Sequence, residues 1–343
     1  MRNNLDRNKI LIIGPSWLGD MIMSQALFKV LKDRCDCVID VVAPEWSRPI
    51  LDRMEEVSKS ITLPISHGEL ALRQRYLLAK QLRGEGYSQA IVLTNTWKSA
   101  LLPFWARIPR RTGWLGELRW GLLNDVRYLD KNKYPTMMQR YVALAYTKGE
   151  DIPTEHPYPA FKVNQATVLE TLNKFNLVTG KNKKIMALCP GAAFGTAKRW
   201  PEHYFIKLAQ NKINAGWEIW LFGSKQDLPV VERIQNQLPS NCKNFAGKLQ
   251  LSETVDLISV VDVVISNDSG LMHMASGLNK YLLAIYGSTS SAFTPPFGAY
   301  AKIVTKKLPC SPCFKKVCPL KHHQCMNAIT PEQILEILNK DGW

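Results

Sequence analysis

The chain has 343 residues, 46% of them hydrophobic and 21% charged, an ordinary globular composition with room for two cores. Its 44 Lys and Arg against 29 Asp and Glu give a formal net charge of +15. That charge favours an anionic partner, whether nucleic acid, an acidic membrane surface or a phosphorylated substrate. No zinc-finger pairing of Cys and His, no RNP-like sequence and no basic heptad helix accompanies it, so nothing but the charge points to nucleic acid.

No run of about 18 uninterrupted apolar residues is present, so no membrane span is expected. Residues 1–8 are polar, include Asp6 and lead into a strand, which does not read as an export signal. Without such a signal, the eight cysteines are expected as reduced thiols in a cytoplasmic protein. Cys35, Cys37, Cys189 and Cys242 fall in or near expected strands and read as packing residues.

In chain order, an apolar strand at 9–14 passes through Gly14-Pro15 into an amphipathic helix at 21–32, which opens at Gly19-Asp20. Strands follow at 37–43, 60–63 and 89–93, with helices at 46–54, 69–84, 98–105 and 134–148. Strands alternating with helical patterns predict a parallel sheet covered on both faces. Residues 151–159 carry three prolines and predict irregular structure. The second half repeats the pattern, with strands at 184–189, 217–223, 262–266 and 281–286. Helices are expected at 165–175, 201–215, 228–238, 252–260 and 271–277. Thr330-Pro331-Glu332-Gln333 opens a last helix with a capping box. The expected fold is α/β, with two Rossmann-like doubly wound domains at 1–165 and 166–329 and a final helix at 330–343.

Chemistry in such folds sits where strands end and helices begin. The first such turn offers Asp20, which taken alone reads first as a helix cap and second as a carboxylate aimed at substrate. The second, Pro190-Gly191-Ala192-Ala193-Phe194-Gly195-Thr196-Ala197-Lys198-Arg199-Trp200-Pro201, combines small residues around Gly191 and Thr196 with two cations before a helix. Backbone N–H groups and Lys198 there suit a phosphate, although the Gly-Lys-Ser/Thr order of a Walker loop is missing. In the third, Ser266-Asn267-Asp268-Ser269-Gly270-Leu271-Met272-His273, Ser269 and Gly270 can present N–H groups to an anion. Asp268 suits sugar hydroxyls and His273 a diphosphate, while the same residues are also good capping chemistry. Asp227, just past the strand at 217–223, suits ribose hydroxyls or a helix start.

No Gly-x-Gly-x-x-Gly, Asp-x-Asp pair or Gly-x-Ser-x-Gly elbow is present, which points away from dinucleotide, metal-nucleotide and serine-hydrolase chemistry. Cys310, Cys313, Cys318 and Cys325, with His322 and His323 nearby, have the density of a metal knuckle but not the spacing of a zinc ribbon. Structural Zn²⁺, packed thiols and reversible disulfides all remain open for this basic segment.

Taken together, the stretches 14–21, 190–195, 197–201, 267–273 and 310–313 resemble the lipopolysaccharide heptosyltransferases of glycosyltransferase family 9, with order and spacing kept from about residue 9 to 338. The resemblance implies a GT-B fold: two Rossmann-like domains facing across a cleft, acceptor on the first, nucleotide-sugar on the second, and a last helix crossing back toward the first. It places the catalytic base on Asp20 and the diphosphate lysine on Lys198. The diphosphate and heptose fall on Asp268, Ser269, Gly270 and His273, and the ribose on Asp227. Gly191 and Thr196 fall in the donor cradle. Ala193 stands where second-heptose enzymes commonly carry an acid, and Thr196 where proline is common, which bears on donor selectivity.

The implied reaction moves L-glycero-D-manno-heptose from ADP-heptose to the first heptose of a Kdo-bearing lipid A, with inversion and without a metal cofactor for catalysis. Arg73, Arg75, Arg110 and Arg111 become candidate acceptor contacts because they lie in the acceptor domain. A lipid-linked, phosphorylated acceptor accounts for the basic charge and implies peripheral association with the cytoplasmic face of the inner membrane. The alternatives are the sister reaction that adds the first heptose to Kdo, another family 9 transferase, or a non-catalytic nucleotide- or nucleic-acid-binding module.

Overall fold

Lys9-Ile10-Leu11-Ile12-Ile13 is a strand because four of its five side chains are apolar and sheet neighbours bury them from both sides. The computed structural model describes residues 8–65, 68–180 and 183–343. The polar N-terminal stretch up to residue 7 and part of the polar stretch 179–184 lie outside the described residues. The chain divides into two compact units, Met1–Lys162 and Val163–Trp343.

The first unit contains strands β1 (Lys9–Ile13), β2 (Val38–Ala43), β3 (Val57–Thr62), β4 (Gln89–Val92), β5 (Arg110–Trp114) and β6 (Asp125–Arg127). Its helices are α1 (Leu18–Arg34), α2 (Arg48–Leu51), α3 (Leu72–Leu82), α4 (Trp97–Trp105) and α5 (Met137–Val142). The sheet order is β3-β2-β1-β4-β5-β6, and every pair is parallel, with Ile12 opposite both Val41 and Ile91. β5 and β6 were not expected: Arg110-Arg111-Thr112-Gly113-Trp114 lacks an apolar run, and β6 has three residues. The helix predicted at 46–54 is a 3₁₀ turn plus the one-turn α2, and that at 134–148 shortens to α5 and a 3₁₀ turn.

Helix α1 is not amphipathic in place. Met21 through Phe28, Val30 and Leu31 are all buried, because α5 covers the side that would otherwise face water. Its buried polar groups are satisfied. Ser24 Oγ donates to Met21 O at 2.7 Å, and the Gln25 amide donates to Ala160 O at 2.9 Å and accepts from Ala160 N at 3.0 Å. That second pair ties the proline-rich stretch back to α1.

The second unit contains β7 (Ile185–Cys189), β8 (Glu218–Leu221), β9 (Cys242–Asn244), β10 (Val263–Asn267), β11 (Tyr281–Tyr286) and β12 (Ala301–Thr305). Around them lie α6 (Gln165–Lys174), α7 (Glu202–Asn214), α8 (Leu228–Gln235), α9 (Leu251–Val260), α10 (Gly270–Gly277), α11 (Gln324–Asn327) and α12 (Pro331–Lys340). The order β12-β11-β10-β7-β8-β9 repeats the plan of the first unit. In each, the first strand lies between the second and the fourth. The strand order therefore reverses between β1 and β4, and again between β7 and β10. Loops leaving the carboxyl ends of strands at such a point diverge and leave a crevice for ligand.

The last helix packs on the core of the second unit. Its Thr330 capping box forms as predicted, with Gln333 N donating to Thr330 Oγ1 at 3.4 Å and Thr330 N donating to Gln333 Oε1 at 3.2 Å. Ile334 and Leu338 are fully buried in the core that α7 and the second sheet share. Trp343 follows them against Trp217 and Tyr281. An apolar stripe at i, i+4 needs one cover, and α7 supplies it.

Candidate functional site

The residues singled out in the second half converge on the reversal point of the second sheet. β7 and β10 are direct neighbours, with Cys189 opposite Ser266, so the loops that leave them, 190–201 and 267–270, start side by side. Asn267, fully buried, locks them together. Its Nδ2 donates to Pro190 O at 2.8 Å, and its Oδ1 accepts from Trp200 N at 3.0 Å. One amide thereby pins both ends of the small-residue loop, a task that requires a donor and an acceptor on the same planar group.

Inside that loop, Lys198 closes a 3₁₀ turn (Thr196–Lys198) and points its Nζ at Asp268, 2.6 Å from Oδ2. Thr289 Oγ1 donates to the same oxygen at 2.6 Å. Phe194 lies beside the lysine, its ring centroid 5.2 Å from Nζ. Asp268 is 5% exposed, so the ion pair sits largely out of water, where an unmatched charge would be costly.

Directly after Asp268, Ser269 is the extended N-cap of α10 and makes no side-chain cap hydrogen bond. The first N–H groups of α10 therefore have no partner within the helix and favour negative charge. Lys198 and the amino end of α10 together form a cationic corner suited to a phosphate group.

His273 sits in the first turns of α10, 3% exposed, stacked on Phe297 at 6.1 Å between centroids, with Nδ1 lacking any hydrogen-bond partner. Burial pushes its pKa down to about 4, with Lys198 adding to the fall and the Asp268 charge opposing it. The imidazole is therefore neutral near pH 7 and can offer an N–H donor rather than a charge.

Asp227 is buried and already engaged. Its Oδ2 accepts from Ser224 N at 3.0 Å and from Ser224 Oγ at 2.7 Å, and Arg199 Nη2 lies 3.5 Å from Oδ1. Gly191 packs against this carboxylate, and a Cβ there would overlap it. Asp227 thus caps this turn through Oδ2 while its Oδ1 keeps no hydrogen-bond partner, and Gly191 makes a close approach that no other residue could make. Thr196 is exposed.

Thr289, Asn267 and Phe297 were not assigned roles from sequence. The signal for Thr289 was a run of small polar residues, Gly287-Ser288-Thr289-Ser290, directly after β11, the same grammar as the other two turns.

The cysteine-rich segment folds over this corner. Ala197 N donates to Lys316 O at 3.0 Å, the His323 ring Nε2 lies 3.0 Å from Ala197 O, and Phe314 N donates to Ser288 O at 2.8 Å. Gly195 meets the Lys316 backbone so closely that a side chain there would collide with it. All eight cysteines are free thiols, and among the described residues no group of three or more His, Cys, Asp or Glu side chains is placed to hold a metal ion.

In the first unit, Asp20 is the third residue of α1, three residues past the N-cap position, which Trp17 holds. It is half-buried, and its charge reaches Tyr141 of α5, whose hydroxyl pKa is raised by burial and then by that charge. Of the arginine candidates, Arg75 is buried and donates to Leu70 O and Glu69 O. Arg111 donates to Leu122 O and Ile108 O. Both hold backbone in place. Arg110 pairs with Asp125 at 3.0 Å while staying half-exposed, and Arg73 is exposed on α3.

Two doubly wound units of one strand order, with a cationic corner at the reversal point of the second, define the GT-B class of glycosyltransferase fold. The chain belongs to glycosyltransferase family 9: the profile of that family (heptosyltransferase) matches residues 75–324. It is 43% identical to lipopolysaccharide heptosyltransferase 2 of Escherichia coli K12 over 341 residues, covering 96% of this chain and 97% of that one. It is 47% identical to lipooligosaccharide heptosyltransferase 2 of Haemophilus influenzae over 346 residues, covering 96% and 98%. The solved structure of the E. coli ADP-heptose LPS heptosyltransferase II superposes with a TM-score of 0.87 at 42% identity, covering 97% of this chain and 98% of that one.

Proposed function

We propose that this protein transfers heptose from ADP-heptose to the first heptose of the lipopolysaccharide inner core. Near-full-length identity to two enzymes named heptosyltransferase 2 carries the reading. The cationic corner of the second unit supports it, because a nucleoside diphosphate leaving group needs fixed positive charge.

In the proposed reaction an acceptor hydroxyl attacks the anomeric carbon and loses its proton to Asp20. The bond from that carbon to the diphosphate oxygen breaks with inversion, and ADP leaves with the electron pair. Charge grows on the diphosphate as that bond lengthens. Lys198 and the N–H groups at the start of α10 meet it without reorganising, which is where such preorganised groups lower a barrier most. His273 adds a neutral N–H donor. Asp20, in the first turn of α1, acts through its placement more than through its strength as a base. No metal ion takes part in this scheme, and transfer is expected to persist in chelator.

A nucleotide-sugar donor and a lipid-linked acceptor place the reaction at the cytoplasmic face of the inner membrane, with the chain bound peripherally. No helix among the described residues is long and apolar enough to cross a membrane. The test is to supply ADP-heptose with two acceptors, Kdo-bearing lipid A with and without its first heptose. Product on the heptose-bearing acceptor is expected. Product only on the heptose-free one would assign the sister reaction.

A further inference from the structure

Helix α3 turns two unlike faces outward and inward. Arg75, Leu78, Ala79 and Leu82 form its buried side. On the opposite side Leu72, Tyr76 and Leu77 are 44%, 45% and 50% exposed. Positions 72, 76, 80 and 83, and positions 73 and 77, follow one another at helical spacing, so these apolar side chains share a surface with Arg73, Lys80 and Arg83. α3 contains no acidic residue.

The neighbouring α4 extends this surface. Phe104 is 41% exposed, and the Tyr76 ring meets Trp105 edge-on at 5.8 Å. Cations lie over the rings: Arg83 is 5.9 Å from the Tyr76 centroid and Arg111 is 5.6 Å from that of Phe104.

Contiguous apolar side chains interleaved with cations call for a cover that is apolar below and anionic above. A second copy of this chain fits poorly, since a two-fold contact would press Arg73, Lys80 and Arg83 against their own counterparts on a molecule of net charge +15. An anionic bilayer fits both halves. Leucine and aromatic side chains enter the boundary between headgroups and acyl chains, and the long cationic side chains reach back to the phosphates.

We propose that the α3–α4 face docks this protein on the surface of an anionic phospholipid bilayer. That docking would bring the chain to its lipid-linked acceptor, a consequence that rests on the function proposed above, whereas the lipid binding does not.

The test is flotation of the purified full chain with neutral phosphatidylcholine vesicles and with vesicles carrying about 30 mol% phosphatidylglycerol. Binding is expected to the anionic vesicles, about tenfold weaker to the neutral ones and weakened by high salt. Leu72→Ser/Leu77→Ser, and separately Lys80→Glu, should each lower it at least fivefold while leaving the thermal midpoint and the transfer rate to a soluble, delipidated acceptor unchanged. Three results would overturn the proposal: no binding by the wild-type chain, variants that bind as well as wild type, or a wild-type dimer that Leu72→Ser/Leu77→Ser dissociates. A chain that floats with vesicles yet transfers no heptose to the soluble acceptor would overturn the proposed reaction and leave the docking face intact.

Discussion

The Lys198 ammonium lies 2.6 Å from the Asp268 carboxylate, and the same oxygen accepts the hydroxyl of Thr289. The lysine is therefore aimed before any donor arrives, and the pair is mostly shielded from water. Removing one partner strands the other. Lys198→Ala is expected to lower stability by about 3 kcal/mol and to slow heptose transfer at least about 100-fold. Adding Asp268→Asn to it should restore most of the stability and none of the rate. Denaturant unfolding and steady-state kinetics on the single and double variants read the two effects separately.

The buried, neutral His273 makes stability depend on pH. Its pKa falls from 6.5 in the unfolded chain to about 4 in the folded one, so the unfolded state binds more protons between those values. Stability is fully present above about pH 6.5 and declines as pH drops toward 4, by about 3 kcal/mol at the lower limit for this group alone. His273→Leu should flatten that part of the stability profile, measured by urea unfolding across the window.

Asn267 uses both halves of its amide to join the two loops of the site. Asn267→Asp keeps the acceptor for Trp200 N but loses the donor to Pro190 O and buries a charge. It is expected to cost about 2–3 kcal/mol and to weaken ADP binding about tenfold, read by thermal unfolding and calorimetric titration. Asn267→Leu should lose both bonds and weaken ADP binding further.

Gly195 lets the cysteine-rich segment close against the Thr196–Lys198 turn through the Lys316 backbone. Gly195→Ala should lift that segment. The expected signature is faster alkylation of the buried Cys325 thiol, followed by mass spectrometry, together with a raised KM for the donor. Unchanged alkylation would mean that the segment is held by other contacts.

Much of the scaffold was legible because its inner strands are apolar runs between helical patterns, as in Lys9–Ile13, Ile185–Cys189 and Tyr281–Tyr286. The strand Arg110–Trp114 and the edge strands Asp125–Arg127, Cys242–Asn244 and Ala301–Thr305 are not legible because they are short or carry arginine, lysine and asparagine, and only pairing makes them strands. The turns at 190–201 and 267–273 were recognisable by small and polar residues after an apolar strand, but the partners of each side chain were not. That Asp227 also caps its turn depended on Ser224, and whether His273 was charged depended on its burial. The amphipathic stripe at Ile334 and Leu338 announced that the last helix has a cover, and α7 provides it.

Asp20 carries the central claim, since the proposed transfer needs a carboxylate at that turn to take the proton of the acceptor. The direct measurement is heptose transfer by Asp20→Asn with ADP-heptose and the heptose-bearing acceptor, with ADP affinity determined on the same protein by calorimetry. The account predicts a loss of at least about 1,000-fold in kcat with unchanged ADP affinity. Turnover near the wild-type rate would contradict it.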